Sequence, residues 1–242
     1  MSLERSGYMS NILIVAAHPD DEILGCGGMM ARVTRSDSQR VSVGYLSYGL
    51  TSRQESETLA EFEKEKVKDR SRNAMEALTG ISKQEMRKHL KFANFPDNKF
   101  DTVPLLDIVK QIEKWIQEIK PDIIFTHSQK DLNIDHCLTH RAVLTATRPI
   151  KGNHSVKTIY SFSIPSSTEW TFGAFGVFAP NIFVDITGMT AAKAKALKCY
   201  DTEIRQFPHP RSEEYMHFQA FYMGSIVGMD EAEGYEMVRG FI

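Results

Sequence analysis

Residues 11–17 read Asn-Ile-Leu-Ile-Val-Ala-Ala and pass directly into His-Pro-Asp-Asp-Glu. A run this apolar, with no polar alternation, has no solvent face. It predicts a strand covered on both sides, as in a parallel sheet. The polar cluster that follows then falls at the carboxyl end of a strand, where open α/β sheets hold their ligands. Val41–Ser47, Ile123–Thr126, Thr158–Ile164 and Ile182–Asp185 also read as strands, and Arg87–Phe92 as a further one. Helices are expected over Glu22–Val33, Gln54–Leu78, His136–Ala146, Thr190–Tyr200 and Glu231–Val238. Another follows a cap at Asp101 or Thr102, with Pro104 in its first turn and Leu105, Ile108, Val109, Ile112, Trp115, Ile116 and Ile119 on one face. In the long helix, Leu59, Phe62, Ala74, Met75 and Leu78 read as core contacts, and the charge run in its middle as a solvated face. Gly25, Gly27 and Gly28 weaken the first helix and predict close packing there. Alternating strands and helices predict an α/β fold: a Rossmann-like, mostly parallel, doubly wound sheet with helices on both faces.

A length of 242 residues suits a single domain over 1–242, with residues 1–9 as a loose leader. Lys and Arg number 29 against 31 Asp and Glu, a net charge of -2. Such a chain has no field to collect polyanions, so nucleic acid and anionic membrane are excluded as partners. No apolar run reaches the roughly 18–20 residues of a membrane span. Cys26, Cys137 and Cys199 lie far apart, which excludes a thiolate zinc site and a disulfide frame and places the protein in a reducing cytoplasm. The expected partner is a small molecule, and a homo-oligomer stays open.

Two strand exits are the most polar, residues 16–22 and 126–136. If their strands are neighbours, the side chains converge. His18 and Asp21, three apart in a turn stiffened by Pro19, offer one nitrogen and one oxygen ligand. His136 offers a third. Asp20, beside the ligands, is placed to collect a proton. Two histidines, a carboxylate and a water make an open catalytic Zn²⁺ site, where the metal lowers the pKa of its water to about 7 and polarises a carbonyl. His140, four residues after His136, is set aside as a fourth ligand because a catalytic site keeps one position open.

AHPDDE after an apolar strand, with a later Asp-His before a helix, resembles the PIG-L/LmbE family of zinc-dependent N-deacetylases. The resemblance extends to THSQKDLNIDH, HRAVLTATRP and GMDEAEGYEMVR. It implies a hydrolase that removes acetyl from an N-acetylated sugar, such as an N-acetylglucosamine unit, or from a glycoconjugate. His18, Asp21 and His136 match its metal ligands, for Zn²⁺ or for Fe²⁺ or another divalent ion. Asp20 matches the general base, Asp135 a supporting carboxylate and Arg53 a substrate-binding arginine. One departure stands out: Asn133 occupies a position where the family commonly has His. Its amide can donate to an oxyanion but cannot titrate. His127, His154, His209 or Tyr48 could take over that acid role. YSFSIPSSTEW (160–170) and His209–Ser212 resemble a subgroup acting on surface-polysaccharide sugars, which implies that Glu169, Trp170, His209 and Arg211 line a sugar pocket.

Three competing readings are carried forward. A dinucleotide-binding enzyme would need glycine at Met30 and an acidic residue ending the second strand, and has neither. A catalytically impaired metal- or sugar-binding homologue is kept open by Asn133. An amidase acting on a non-sugar substrate would share the metal centre.

Overall fold

The computed structural model describes residues 10–35, 39–50, 61–152 and 154–241. Through these run β1 (Ser10–Ala16), α1 (Asp21–Thr34), β2 (Gln39–Ser47), α2 (Glu61–Thr79), the one-turn α3 (Lys83–Met86), β3 (Leu90–Phe95) and α4 (Leu105–Ile119). Then come β4 (Ile123–His127), α5 (Ile134–Ala146), β5 (Thr158–Phe162), β6 (Ile182–Asp185), α6 (Thr190–Leu197), α7 (Glu213–Val227) and β7 (Ala232–Gly240). The strands form one sheet in the order β3-β2-β1-β4-β5-β7-β6. β1 to β5 pair in parallel, and β7 lies antiparallel to both β5 and β6.

The apolar run at the start becomes β1, and its side chains divide between two cores. Ile12, Ile14 and Ala16 pack with residues of α1, α2 and α6, while Leu13, Val15 and Ala17 pack with residues of α4 and α5. The chain winds outward from β1 to β2 and β3 on one side, then returns to add β4 and β5 on the other. The order therefore reverses between β1 and β4, and the crevice of the doubly wound sheet opens at their carboxyl ends. In α4 the expected face is buried through Ile108, Val109, Ile112, Trp115 and Ile116. Among the described residues, no helix is long and apolar enough to cross a membrane.

Three expectations change. Residues 231–238 are expected to be helical, but 232–238 belong to the strand β7, because β5 and β6 both take up its backbone and this pairing overrides the helix propensity of Glu, Ala and Met. A helix not expected at all, α7, begins at the Ser212 N-cap, whose side chain accepts from Tyr215 N, and ends at Gly228 with φ 73°. Phe62 is 68% exposed and holds the Lys66 ammonium 4.1 Å above its ring instead of entering the core.

The glycines of α1 do make room, and part of what fills the space is polar. A Cβ on Gly28 would lie 2.7 Å from Ile186, and one on Gly27 would lie 2.9 Å from the Lys193 stem. Lys193 and Glu233, both nearly buried, form an ion pair of 2.7 Å against α1. The Glu233 carboxylate accepts from the backbone N–H of Gly28 and of Met29, each at 2.8 Å, and from the Tyr235 hydroxyl at 2.7 Å. The Lys193 ammonium donates to the Leu24 carbonyl at 2.8 Å. Charged side chains from α6 and β7 thus fasten onto backbone groups in the middle of α1.

Candidate active site

β1 and β4 are hydrogen-bonded neighbours, with Val15 opposite Thr126, so the two polar exits lie side by side. Beyond β1 the chain turns through His18, Pro19 and Asp20 into α1. Asp20 adopts φ 115°, ψ −29°, a sparsely populated conformation for a residue with a side chain. Asp21 opens the helix, and its Oδ2 accepts from the His18 backbone N–H at 2.8 Å. Carboxylates gather where the helix N-terminus favours negative charge. Beyond β4 the chain enters α5 through Asn133, whose Oδ1 accepts from Asp135 N at 2.8 Å and caps the helix. That cap places Asp135 and His136 in the first turn, facing β1.

His18, Asp21 and His136 meet there, with one ligand atom of each within 4.8 Å of the others. Asp21 lies 3.5 Å from His18 Nδ1 through Oδ2 and 3.5 Å from His136 Nε2 through Oδ1. Each imidazole is backed by carboxylate on its other nitrogen. His18 Nε2 is 3.0 Å from Asp135 and 3.1 Å from Asp97, and His136 Nδ1 is 3.0 Å from Asp131. Carboxylates behind both rings direct the remaining nitrogens at Asp21, the arrangement that orients histidine ligands on a metal. All three residues are buried, and two imidazoles with one carboxylate suit a divalent cation. The residues present therefore fit the group.

The electrostatics follow from this packing. Burial opposes protonation of His18, but Asp135, Asp21 and Asp97 hold its pKa well above the usual imidazole value. Burial works against ionisation of Asp21, yet His136 and His127 carry it well below the usual carboxylate range. Burial also opposes the charge on Asp131, but contacts with His136, Ser167 and Thr168 bring its pKa down to about 2.

Asp97, Asp131 and Glu203 are site residues that the sequence reading missed. Asp97 sits in the turn-rich loop beyond β3, a third strand exit, which was the signal available. Asp135 accepts from the backbone of Asn98 at 2.7 Å and of Phe100 at 2.9 Å, which ties that loop to α5. Asp131 accepts from the hydroxyls of Ser167 and, at 2.6 Å, Thr168.

Asp20 lines the same cavity, which has a volume of about 180 Å³ and also exposes Asp97, Asn98, Asn133, Ser166, Ser167, Glu203 and Arg211. Arg211 Nη1 reaches the Asp20 carboxylate at 3.0 Å and Glu203 at 2.9 Å, while its Nε donates to Ser166 Oγ at 2.9 Å. Burial, opposed by Arg211 and reinforced by Asp21, Glu203 and Glu22, holds the Asp20 carboxyl well above its ordinary range.

Residues 13–147, more than half of the chain, match the PIG-L family profile, described as GlcNAc-PI de-N-acetylase. The chain belongs to the PIG-L family. No curated protein matches its sequence. Among solved structures, the N,N'-diacetylchitobiose deacetylase of Pyrococcus horikoshii superposes with a TM-score of 0.71 at 18% identity, over 96% of this chain and 84% of the other. The zinc-inhibited form of teicoplanin deacetylase gives 0.69 at 16% identity, over 96% and 99%. The 4-carboxy-2-hydroxymuconate hydratase of Pseudomonas putida KT2440 gives 0.68 at 22% identity, over 97% and 98%. At these identities the likeness is one of fold, and that fold carries more than one reaction.

In this PIG-L family chain, not every residue picked from the sequence reaches the cavity. Asn133 lines it, but its Oδ1 is committed to the helix cap and its Nδ2 donates to Asn98 Oδ1 at 3.0 Å. His127 is a correction: it is 0% exposed, so it cannot touch a substrate. Its Nε2 instead accepts from Ala17 N at 2.9 Å, and its ring stacks beneath His136 at 4.0 Å. Burial and the neighbouring His136 push its pKa down to about 4, so it offers no acid. Trp170 and His209 are not among the residues that line this cavity. They meet edge to face at 5.7 Å outside the cavity lining, where His209 Nδ1 accepts from Arg211 N. Tyr48, His154 and Glu169 do not line the cavity either. Arg53 and Leu59 lie outside the described residues, as do residues 1–9, expected as a leader.

Proposed function

We propose that this chain is a metal-dependent N-deacetylase that hydrolyses the acetamide of an N-acetylated sugar or sugar conjugate. The observation that carries the reading is the meeting of His18, Asp21 and His136 with the Asp20 carboxylate at one cavity. His18, Asp21 and His136 would hold the cation, Zn²⁺ or Fe²⁺. When bound, the cation supplies charge that acidifies water and polarises the amide carbonyl. Asp20 takes the proton from the attacking water as its oxygen bonds to the carbonyl carbon. The C–N bond then breaks, and Asp20 passes that proton to the departing nitrogen, giving acetate and a free amine. Asn133 keeps one N–H beyond its bond to Asn98, and this can meet the developing oxyanion. Arg211 holds Asp20 in place, and Asn98, Ser166 and Glu203 offer polar groups to sugar hydroxyls.

Family membership supports deacetylation, and the diacetylchitobiose named for one structural neighbour supports an N-acetylated sugar as substrate. The site draws on residues from His18 to Arg211, which favours one working unit over the whole chain. The free cysteines suit a reducing compartment such as the cytoplasm. The competing reading, metal and sugar binding without turnover, rests on Asn133 standing where the family commonly has His.

Free-amine release from N-acetylated monosaccharides, nucleotide sugars and glycoconjugates, with metal content measured on the same sample, tests the proposal. Turnover is expected with about one metal per chain. Asp20→Asn should keep the metal and lose roughly 10²–10⁴-fold in kcat. Undiminished activity in that variant would remove Asp20 from the reaction, and metal with no turnover of any compound would favour the binding reading.

A further inference from the structure

The family match ends at Thr147, but the residue assigned as base is gripped by side chains well beyond it. Asp20 stands at φ 115° with its carboxylate lining the cavity. Such a backbone conformation persists where the surroundings hold it. Here the Asp20 N–H donates to Glu22 Oε2 at 3.0 Å, and the Tyr200 hydroxyl donates to Glu22 Oε1 at 2.8 Å. Glu22 is 0% exposed and Tyr200 is 3% exposed, and neither lines the cavity. At the other end of the same residue, Arg211 Nη1 meets the carboxylate at 3.0 Å. The segment following α6 thus reaches Asp20 twice, through Glu22 at its backbone and directly at its side chain.

We propose that Glu22 and Tyr200 are positioning residues for the reaction: Tyr200 pins Glu22, and Glu22 holds the Asp20 backbone in the left-handed conformation that presents its carboxylate to the cavity. The acceptor serves the N–H of the one residue in the turn whose conformation is unfavourable. A buried acid serving stability alone has no need of that N–H. The inference rests on Asp20 acting as the base.

The test uses the metal-loaded full chain with Glu22→Gln, Glu22→Ala and Tyr200→Phe. kcat and KM are measured on N-acetylglucosamine and N,N'-diacetylchitobiose, metal content and Tm on each protein, and the Asp20 dihedral in crystals of each variant. Glu22→Gln keeps an acceptor and should stay within about threefold of the parent in kcat. Glu22→Ala and Tyr200→Phe should lose roughly ten- to a hundredfold in kcat at unchanged KM and metal content. In Glu22→Ala, Asp20 should leave its φ near 115°. Parental kcat in both variants, a loss that tracks metal content or Tm, or Asp20 unmoved in Glu22→Ala would each overturn the proposal. Where Glu22→Ala does not fold, Tyr200→Phe, which removes one hydroxyl, decides by the same criteria. The crystallographic readout needs no turnover, so it stands even if neither sugar is a substrate. Full activity in Asp20→Asn would instead remove the base reading and leave the backbone result to be judged separately.

Discussion

Asp131 shows how a single carboxylate can serve two neighbours. It faces His136 Nδ1 at 3.0 Å and accepts from the hydroxyls of Ser167 and Thr168. One side fixes the ring that would carry a metal ligand, and the other fastens the loop that forms the cavity wall. Replacing Asp131 by Asn keeps the size and removes the charge that orients the imidazole. Zinc affinity, measured by chelator competition on the folded variant, should fall about 10–100-fold, and an affinity equal to the parent would deny Asp131 this role. The residues nearest the centre were legible in the sequence because their spacing is local: a turn brings His18 to Asp21, and a helix start presents His136. Asp97, Asp131 and Glu203 were not. Asp97 meets His18 from another strand exit, Asp131 joins His136 to Ser167 and Thr168, and Glu203 meets Arg211 within an irregular segment, so no helix or strand period marks any of them. His127 failed for the opposite reason. A polar residue at a strand exit reads as available, yet this one is consumed by the Ala17 N–H and by stacking under His136.

At the scale of elements, the strands of the parallel half were readable because burial on both faces leaves continuous apolar runs. The last third was harder. β7 carries Glu233 and Glu236 in a sequence with helical propensity, and only its position between β5 and β6 makes it a strand. Helix α7 had a Ser cap and a terminal Gly in plain view, but it buries only Met216, Ala220 and Gly224 and leaves Phe218, Phe221 and Tyr222 exposed, so no single apolar stripe marks it. The glycines of α1 were correctly expected to permit close approach, whereas the ion pair set against them was not foreseeable. That pair is a testable joint between α1, α6 and β7. Lys193→Met would leave the Glu233 carboxylate buried with only backbone and hydroxyl donors, and urea unfolding should show a loss of about 3 kcal/mol. The double variant Lys193→Met/Glu233→Gln should recover part of it, because the stranded charge is gone. A loss under half a kilocalorie in the single variant would mean that the pair contributes little.

For the whole molecule, pH acts through groups buried on opposite sides of the sheet. His140 is nearly buried, with Nδ1 2.8 Å from the His127 carbonyl, and burial lowers its pKa below the usual imidazole value. The unfolded chain therefore takes up this proton first. Stability from the neutral ring is present above about pH 6.5 and is lost as pH falls toward the folded-state value. Glu22, raised by burial to about 7, contributes with the opposite sign over the same window, and the buried His18, Asp20 and His127 are shifted as well, so raw stability curves mix several groups. The difference between the parent and His140→Asn isolates the histidine. From pH 7.5 to 5.5 the parent should lose more unfolding free energy than the variant, and equal slopes would show that His140 is not the group responsible. The order of the strands also has a consequence for biosynthesis. β5 is made long before β7, the strand that covers its outer edge. At ribosomal speeds of roughly 5–20 residues per second, that edge stays open for on the order of four to fifteen seconds in every newly made chain. An unpaired parallel edge is a template for a neighbouring nascent chain. Yield in cells should therefore respond to translation rate and chaperone supply more sharply than the stability of the finished fold would suggest.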